Sequence, residues 1–213
     1  MVVYTDQEAF TDALSNYAVD TFDDLSLGYI PVTLERTVQA TDGYTAFNYT
    51  ASAPGFFWGL EEGSLEGGLW LSTQLATSQM TLNQFDSGTN AVGGYFFATD
   101  YYGALEATDL YLMVTDSLNN TLEYILAGAT NYSFLGFISN GSMIESITLG
   151  ITQNPLASQN AALYRWVTID DLQIGTTGAG PAEERQALAA PAPLALSLLW
   201  LGLGVIALIR GRG

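Results

Sequence analysis

From Leu110 onward, apolar and polar residues alternate with a period of two. Leu110, Leu112 and Val114 interleave with Tyr111, Met113 and Thr115. That period predicts a β-strand with one buried face. Asp116-Ser-Leu-Asn-Asn120 then reads as a turn, and Thr121 to Leu126 as the returning arm of a hairpin. Ile147, Leu149 and Ile151 repeat the alternation, and Val92 to Phe97 and Trp166 to Ile174 predict further strands. Glycines at Gly63, Gly67-Gly68, Gly88, Gly93-Gly94 and Gly141 punctuate the chain between them. Within residues 1–175 the pattern is helical in one place only. Thr5-Asp-Gln-Glu8 has the form of a capping box with Thr5 as the cap, and Phe10, Ala13, Leu14 and Tyr17 follow at helical spacing. Short strands, glycine-rich turns and one short N-terminal helix predict an all-β fold over residues 1–175, an antiparallel jelly-roll-like β-sandwich. Residues 176–190 read as a flexible linker.

Two motifs break the alternation. Phe22-Asp23-Asp24-Leu25 lies early and Ile169-Asp170-Asp171-Leu172 lies late. In the late one, Val167 and Ile169 share one parity while Leu172 and Ile174 share the other. A regular strand cannot bury both pairs on one face, so a bulge is expected at Asp170-Asp171. If the strands carrying the two motifs are neighbours, Asp23, Asp24, Asp170 and Asp171 form a candidate site for structural calcium, a hard cation bound by oxygen ligands. Carboxylates at strand ends are equally at home in water, and that reading stands beside the metal.

The pattern changes again after Arg185. From Gln186 to Ile209 there is no charged residue, and Leu194 to Ile209 is nearly all apolar around every side of a helix. Sixteen residues would span roughly 24 Å as a helix, short of a bilayer core unless Ala187 to Ala190 extend the run. A transmembrane helix is the expectation. The chain carries 5 arginines, 22 acidic residues and no lysine, for a net charge of −17. The charge is unevenly divided. Up to Arg185, three arginines face all 22 acidic residues, a balance of −19, and Arg210 and Arg212 give the tip +2. The positive-inside rule puts that tip in the cytoplasm and the acidic domain outside the membrane. An exported domain requires a leader, and Met1 to Asp6 has neither a basic nor an apolar leader region. The expectation is that a leader is missing from this sequence, with a cytosol-facing tail anchor as the alternative.

Pro191-Ala192-Pro193, the apolar run, and Arg210-Gly-Arg212-Gly213 together resemble the PEP-CTERM sorting segment. In that family a Pro-Glu-Pro motif precedes a membrane helix and an arginine-rich tail. Here Ala192 stands where the family usually has glutamate. The resemblance covers about the last 23 residues. It implies handling by exosortase, a membrane transpeptidase, in a bacterium that makes exopolysaccharide, and delivery to the cell envelope. The body is similar to the exported β-sandwich domains that often precede such a segment. The similarity rests on the order of loose motifs: Phe22-Asp-Asp-Leu25, Ala91 to Phe97, Val114 to Asn119, Phe134 to Ser139, Ile144 to Leu149 and Val167 to Leu172. It implies a jelly roll, with structural calcium as one option.

Composition narrows the chemistry. There is no cysteine and no histidine. Thiolate sites, disulfides, histidine bases and the commonest zinc ligand are therefore excluded, and without lysine so is Schiff-base chemistry. The strong negative balance excludes a nucleic-acid footprint. Oxygen chemistry and aromatic faces remain. Trp58, Tyr101 and Tyr102 are the candidate ligand-binding residues, suited to stacking on pyranose rings, and Tyr101-Tyr102 stands beside Asp100 and Gly103 in a predicted loop. Phe56, Phe57 and Trp70 belong to the same reading, with core packing the alternative for Trp58 and Trp70. Glu61, Glu62 and Glu66 supply the carboxylates a glycosidase would need but match no catalytic pattern. The expected function is therefore a non-catalytic surface or extracellular-matrix domain associated with exopolysaccharide, with a dedicated carbohydrate-binding module as the second reading and a glycoside hydrolase as the third.

Overall fold

The computed structural model of the chain describes residues 1–61, 68–76, 78–152 and 164–178. The chain divides into Met1–Gly180 and Pro181–Gly213, and all described residues belong to the first unit. That unit is all-β, with two antiparallel sheets and one short helix among the described residues. One sheet has eight strands. Its order is β1 (Val2–Tyr4), β12 (Phe134–Ile138), β9 (Ala91–Thr99), β14 (Trp166–Thr176), β7 (Leu69–Thr73), β6 (Phe57–Glu61) and β3 (Gly28–Ile30), with β2 (Asn16–Asp20) also paired to β14. The other sheet has six: β11 (Thr121–Ala129), β10 (Thr108–Asp116), β13 (Ile144–Ile151), β8 (Met80–Asn83), β5 (Ala46–Ser52) and β4 (Thr33–Gln39). The chain changes sheet after β3, β5, β7, β8, β9, β11, β12 and β13, so most neighbours are distant in sequence.

Inward positions of both sheets meet in one core. Leu71, Phe96, Val167 and Ile169 come from the eight-stranded sheet, and Tyr49, Leu82, Leu112, Val114, Ile147 and Leu149 from the other. The alternation read from the sequence is the cause. Leu110, Leu112 and Val114 are buried, and Tyr111, Met113 and Thr115 are not. The predicted hairpin is β10–β11, with Leu112 opposite Tyr124 and Thr115 opposite Thr121.

A second, smaller cluster forms on the other side of the eight-stranded sheet. The helix α1 (Gln7–Asp12) sets Phe10 against Ala91, Phe134 and Ile138, with Tyr4 and Tyr95 at the margin. This explains why β12, Phe-Leu-Gly-Phe-Ile, is buried along its whole length. The expected cap is corrected by one residue. Asp6, not Thr5, is the N-cap, and its Oδ1 accepts from Ala9 N at 2.8 Å. Tyr17, expected on the helix, lies in β2.

The expected bulge in β14 is present. Its register against β9 shifts between Asp170 and Gln173, and Asp171 takes φ +44°. Before the bulge the other neighbour of β14 is β7, through Thr168 and Ile169. After it the neighbour is β2, with Leu172 opposite Asp20. The bulge lets one strand keep Ile169 and Leu172 both fully buried while it changes partner. Opposite it, a Cβ on Gly94 would meet Asp170 O at 3.2 Å and Leu172 Cα at 3.3 Å, so the glycine lets the kinked backbone approach closely without displacement.

Candidate functional site

Core packing claims Phe57 on β6, so the opposite parity places Trp58 and Leu60 on the outer face of the eight-stranded sheet. Trp58 is 39% exposed. It stands opposite Tyr29 of the edge strand β3, itself 63% exposed. Phe56 ties the two together, with its ring centroid 4.6 Å from Tyr29 and 5.1 Å from Trp58. Trp70 is different. It is buried, edge-on to Phe97 at 4.8 Å, and so belongs to packing.

Tyr101 and Tyr102 lie in the turn after β9, 70% and 87% exposed. Asp100 builds that turn. Its Oδ1 accepts from Tyr102 N at 2.8 Å and Ala104 N at 2.9 Å, and Gly103 takes φ +81°. Tyr101 packs edge-on against Trp166 at 5.9 Å, and Trp166 donates Nε1–H to Gln74 O at 2.9 Å. The adjacent Arg165–Glu106 ion pair, 3.0 Å, fixes the start of β14 to the strand entering from this loop. The loop is close to β6, because a Cβ at Gly103 would lie 3.8 Å from Leu60. Leu60 shares its face with Trp58, two residues away. The structure therefore places all three sequence-predicted ligand residues, Trp58, Tyr101 and Tyr102, on one side of one sheet, and adds Tyr29, Phe56 and Trp166. The edge position of β3 is what leaves Tyr29 and Trp58 uncovered, and a three-residue strand gave the sequence reading no periodicity to detect.

The aspartate pairs are arranged otherwise. Asp24 faces Arg36, whose guanidinium spans two carboxylates. Nη2 lies 2.6 Å from Asp20 Oδ1 and 2.6 Å from Asp24 Oδ1, Nε donates to Asp20 Oδ2 at 2.8 Å, and Nη1 donates to Asp24 Oδ2 at 3.0 Å. Asp20 is buried and also accepts from Tyr49 OH at 2.7 Å and Phe22 N at 3.1 Å. Phe22 takes φ +60° to make that contact, with its ring 5.8 Å from the Arg36 Cζ. Asp23 turns elsewhere and accepts from Leu69 N at 3.0 Å. Asp170 Oδ1 accepts from Asp171 N at 2.8 Å, and both carboxylates act on Tyr95, whose phenol is raised by burial first and then by their charge. β2, which ends at Asp20 just before the early motif, pairs with β14, but the four aspartates are not gathered. Among the described residues no group of three or more carboxylates is placed to hold a metal ion.

Sequence reasoning missed Asp20, Arg36 and Tyr49. The available signal was parity. In Leu34-Glu-Arg36-Thr-Val38, arginine stands where the alternation calls for a core residue. The hydrogen bonds of Asp20 push Arg36 further above its ordinary range, and burial pushes the Tyr49 phenol well up. Glu61 ends β6, and Glu62 and Glu66 lie outside the described residues, as do residues 179–190 of the expected linker and the whole sorting segment with Pro191, Ala192, Pro193, Arg210 and Arg212. Among the described residues no helix is long and apolar enough to cross a membrane.

Three carboxylates carry a prediction of pH dependence. Asp24 is lowered by its bonds from Arg36. Asp42 is lowered to about 2 by the Thr45 amide and hydroxyl and the Tyr44 amide. Asp116, the hub of the β10–β11 turn, is lowered by Asn120 Nδ2, Ser142 Oγ and the backbone amides of Asn120 and Leu118. A carboxylate whose folded value lies below its unfolded one of about 3.9 contributes stability that is fully present above the unfolded value and is lost as pH falls from there through the folded one. Relief of the excess negative charge acts the other way between neutrality and that point. The thermal midpoint by circular dichroism is therefore expected to hold or rise down to about pH 4 and to fall steeply toward pH 2. A midpoint that kept rising below pH 4 would contradict the three assignments.

No protein-family model matches the chain, and no curated protein matches it.

Proposed function

We propose that the chain is an exported, non-catalytic surface or matrix protein whose jelly-roll-like β-sandwich touches neutral exopolysaccharide through the aromatic strip Tyr29–Phe56–Trp58 and Tyr101–Tyr102–Trp166. The observation that carries the reading is the exposure of Tyr29, Trp58, Tyr101 and Tyr102 on one side of one sheet, with Phe56 and Trp166 packed partly buried against them. Aromatic faces attract the apolar C–H faces of pyranose rings, and rigid rings lose little entropy on binding. The acidic domain disfavours anionic polymers. The sequence of the segment from Pro191 to Arg212 supports delivery through the membrane and processing by an exosortase-type transpeptidase, with its apolar run as a transmembrane helix.

The test is affinity electrophoresis through gels containing neutral polysaccharides. Retardation by at least one polymer is expected, with a loss of about tenfold or more in affinity for Trp58→Ala and for the Tyr101→Ala/Tyr102→Ala pair. A tenfold loss corresponds to about 1.4 kcal/mol. Unchanged retardation in both variants, or none in the wild type, would remove the reading.

A further inference from the structure

The six-stranded sheet has an outer face of a different kind. Thr50, Asn83, Ser146, Thr115 and Thr121 stand directly opposite one another across β5, β8, β13, β10 and β11. Two residues along, Thr33, Ser52, Thr81 and Thr148 form a parallel row. Their sequence neighbours Ala51, Leu82, Ile147 and Val114 are in the core, so these rows face outward. Neighbouring strands are about 4.8 Å apart, close to the length of one pyranose unit in an extended glycan. Some hydroxyls already pair, with Thr81 and Thr148 Oγ1 3.2 Å apart.

One end of these rows is concave. A groove of about 710 Å³ is lined by Asn83, Gln84, Asp86, Thr115, Glu145 and Ser146, among others. Among the described residues its charged groups are Asp86 and Glu145, both negative. Asn83 Oδ1 is shielded from solvent and has no hydrogen-bond partner among the described residues. An unpaired buried acceptor costs stability, and a ligand hydroxyl would remove that cost. The terminal torsion of an asparagine is soft, so its amide can turn toward a ligand while the strand stays in place.

We propose that this groove is a second glycan site, one that takes a neutral, hydroxyl-rich chain across the strands, with ligand O–H groups donating to Asn83 Oδ1 and exchanging bonds with Thr115 and Ser146. An anionic polymer is rejected by Asp86 and Glu145. The ligand class rests on the polysaccharide reading above. The site does not, since it lies on the opposite sheet from the aromatic strip. Two sites on opposite sheets would let one domain join two polymer chains.

The test uses the full chain in detergent with hydroxyethylcellulose, dextran and galactomannan as neutral probes and alginate as the acidic one. Asn83→Leu removes the orphan acceptor and is expected to keep or raise Tm while weakening binding to a neutral polymer about tenfold. Ser146→Gln fills the groove and is expected to weaken binding similarly with Tm unchanged. Loss in these variants, alone or together with loss on Tyr101→Ala/Tyr102→Ala, supports the groove. If only the groove variants lose binding, the aromatic strip is wrong and the groove stands. If only the aromatic variants do, the groove is overturned and the strip stands. Binding to no neutral polymer, or tighter binding to alginate, overturns both. A Tm drop of several degrees in Asn83→Leu with normal binding in Ser146→Gln makes the asparagine structural and also overturns the groove.

Discussion

Replacing Arg36 with methionine is expected to destabilise the fold by about 3–5 kcal/mol, the range for breaking a buried ion pair from one side. Arg36 is the only cation bonded to the buried Asp20 among the described residues, and it meets that carboxylate through Nε and Nη2 together. Methionine fills similar volume, so packing changes little. What remains is a desolvated carboxylate with Tyr49 OH and Phe22 N as donors. The loss reaches beyond one contact, because β2 of one sheet supplies Asp20 while β4 and β5 of the other supply Arg36 and Tyr49. The network thus closes the end of the sandwich. Asp24 is mostly exposed at the outer side of the same guanidinium, and Asp24→Asn should cost under about 1 kcal/mol. Urea unfolding followed by tryptophan fluorescence measures both, with a lower midpoint and an unchanged slope. A loss under about 1 kcal/mol for Arg36→Met would mean that water screens the pair and that Asp20 is not desolvated as the structure shows. The triple change Asp20→Leu/Arg36→Met/Tyr49→Phe should recover part of the loss, since matched apolar groups need no partner.

The same residues show what a sequence can and cannot disclose. β10, β11 and β13 were legible because one face meets water, and water imposes the period of two. β12 was not, because α1 covers its second face and Phe-Leu-Gly-Phe-Ile carries no polar beat. The bulge in β14 could be read from parity alone, since Ile169 and Leu172 cannot share a face without it. Its purpose could not, because the exchange of β7 for β2 depends on strands more than 90 residues away. Asp23-Asp24 and Asp170-Asp171 look alike as text. In the fold, Asp24 meets an arginine, Asp23 a backbone amide, and the later pair the vicinity of Tyr95. Adjacent carboxylates announce local charge, and only tertiary pairing decides whether a cation, an amide or water answers it. Tyr101 and Tyr102 were easier, because Asp100 and Gly103 mark a turn, and a turn exposes what it carries.

Phe10→Ala is expected to cost about 3–5 kcal/mol, as for other large aromatics removed from a core. The residue is fully buried, with Tyr4 and Phe134 rings 5.7 and 5.5 Å away. It is also the only buried residue of α1, and a six-residue helix is unstable without tertiary support. Losing Phe10 should therefore release the helix and uncover β12. The reason the ring fits is Gly136. A Cβ there would run into the Phe10 ring at Cδ2, and the strand backbone at Gly136 is otherwise open to any residue. Gly136→Ala alone should thus cost about 1–3 kcal/mol through overpacking. In a Phe10→Ala background the same methyl enters the vacated space and should cost nothing or stabilise slightly. The two changes must therefore be strongly non-additive, with the coupling relieving the damage. Urea midpoints of the two single variants and the double variant test this. Simple additivity would show that Phe10 and Gly136 are not in contact, and that α1 is held to the sheet by something other than this ring.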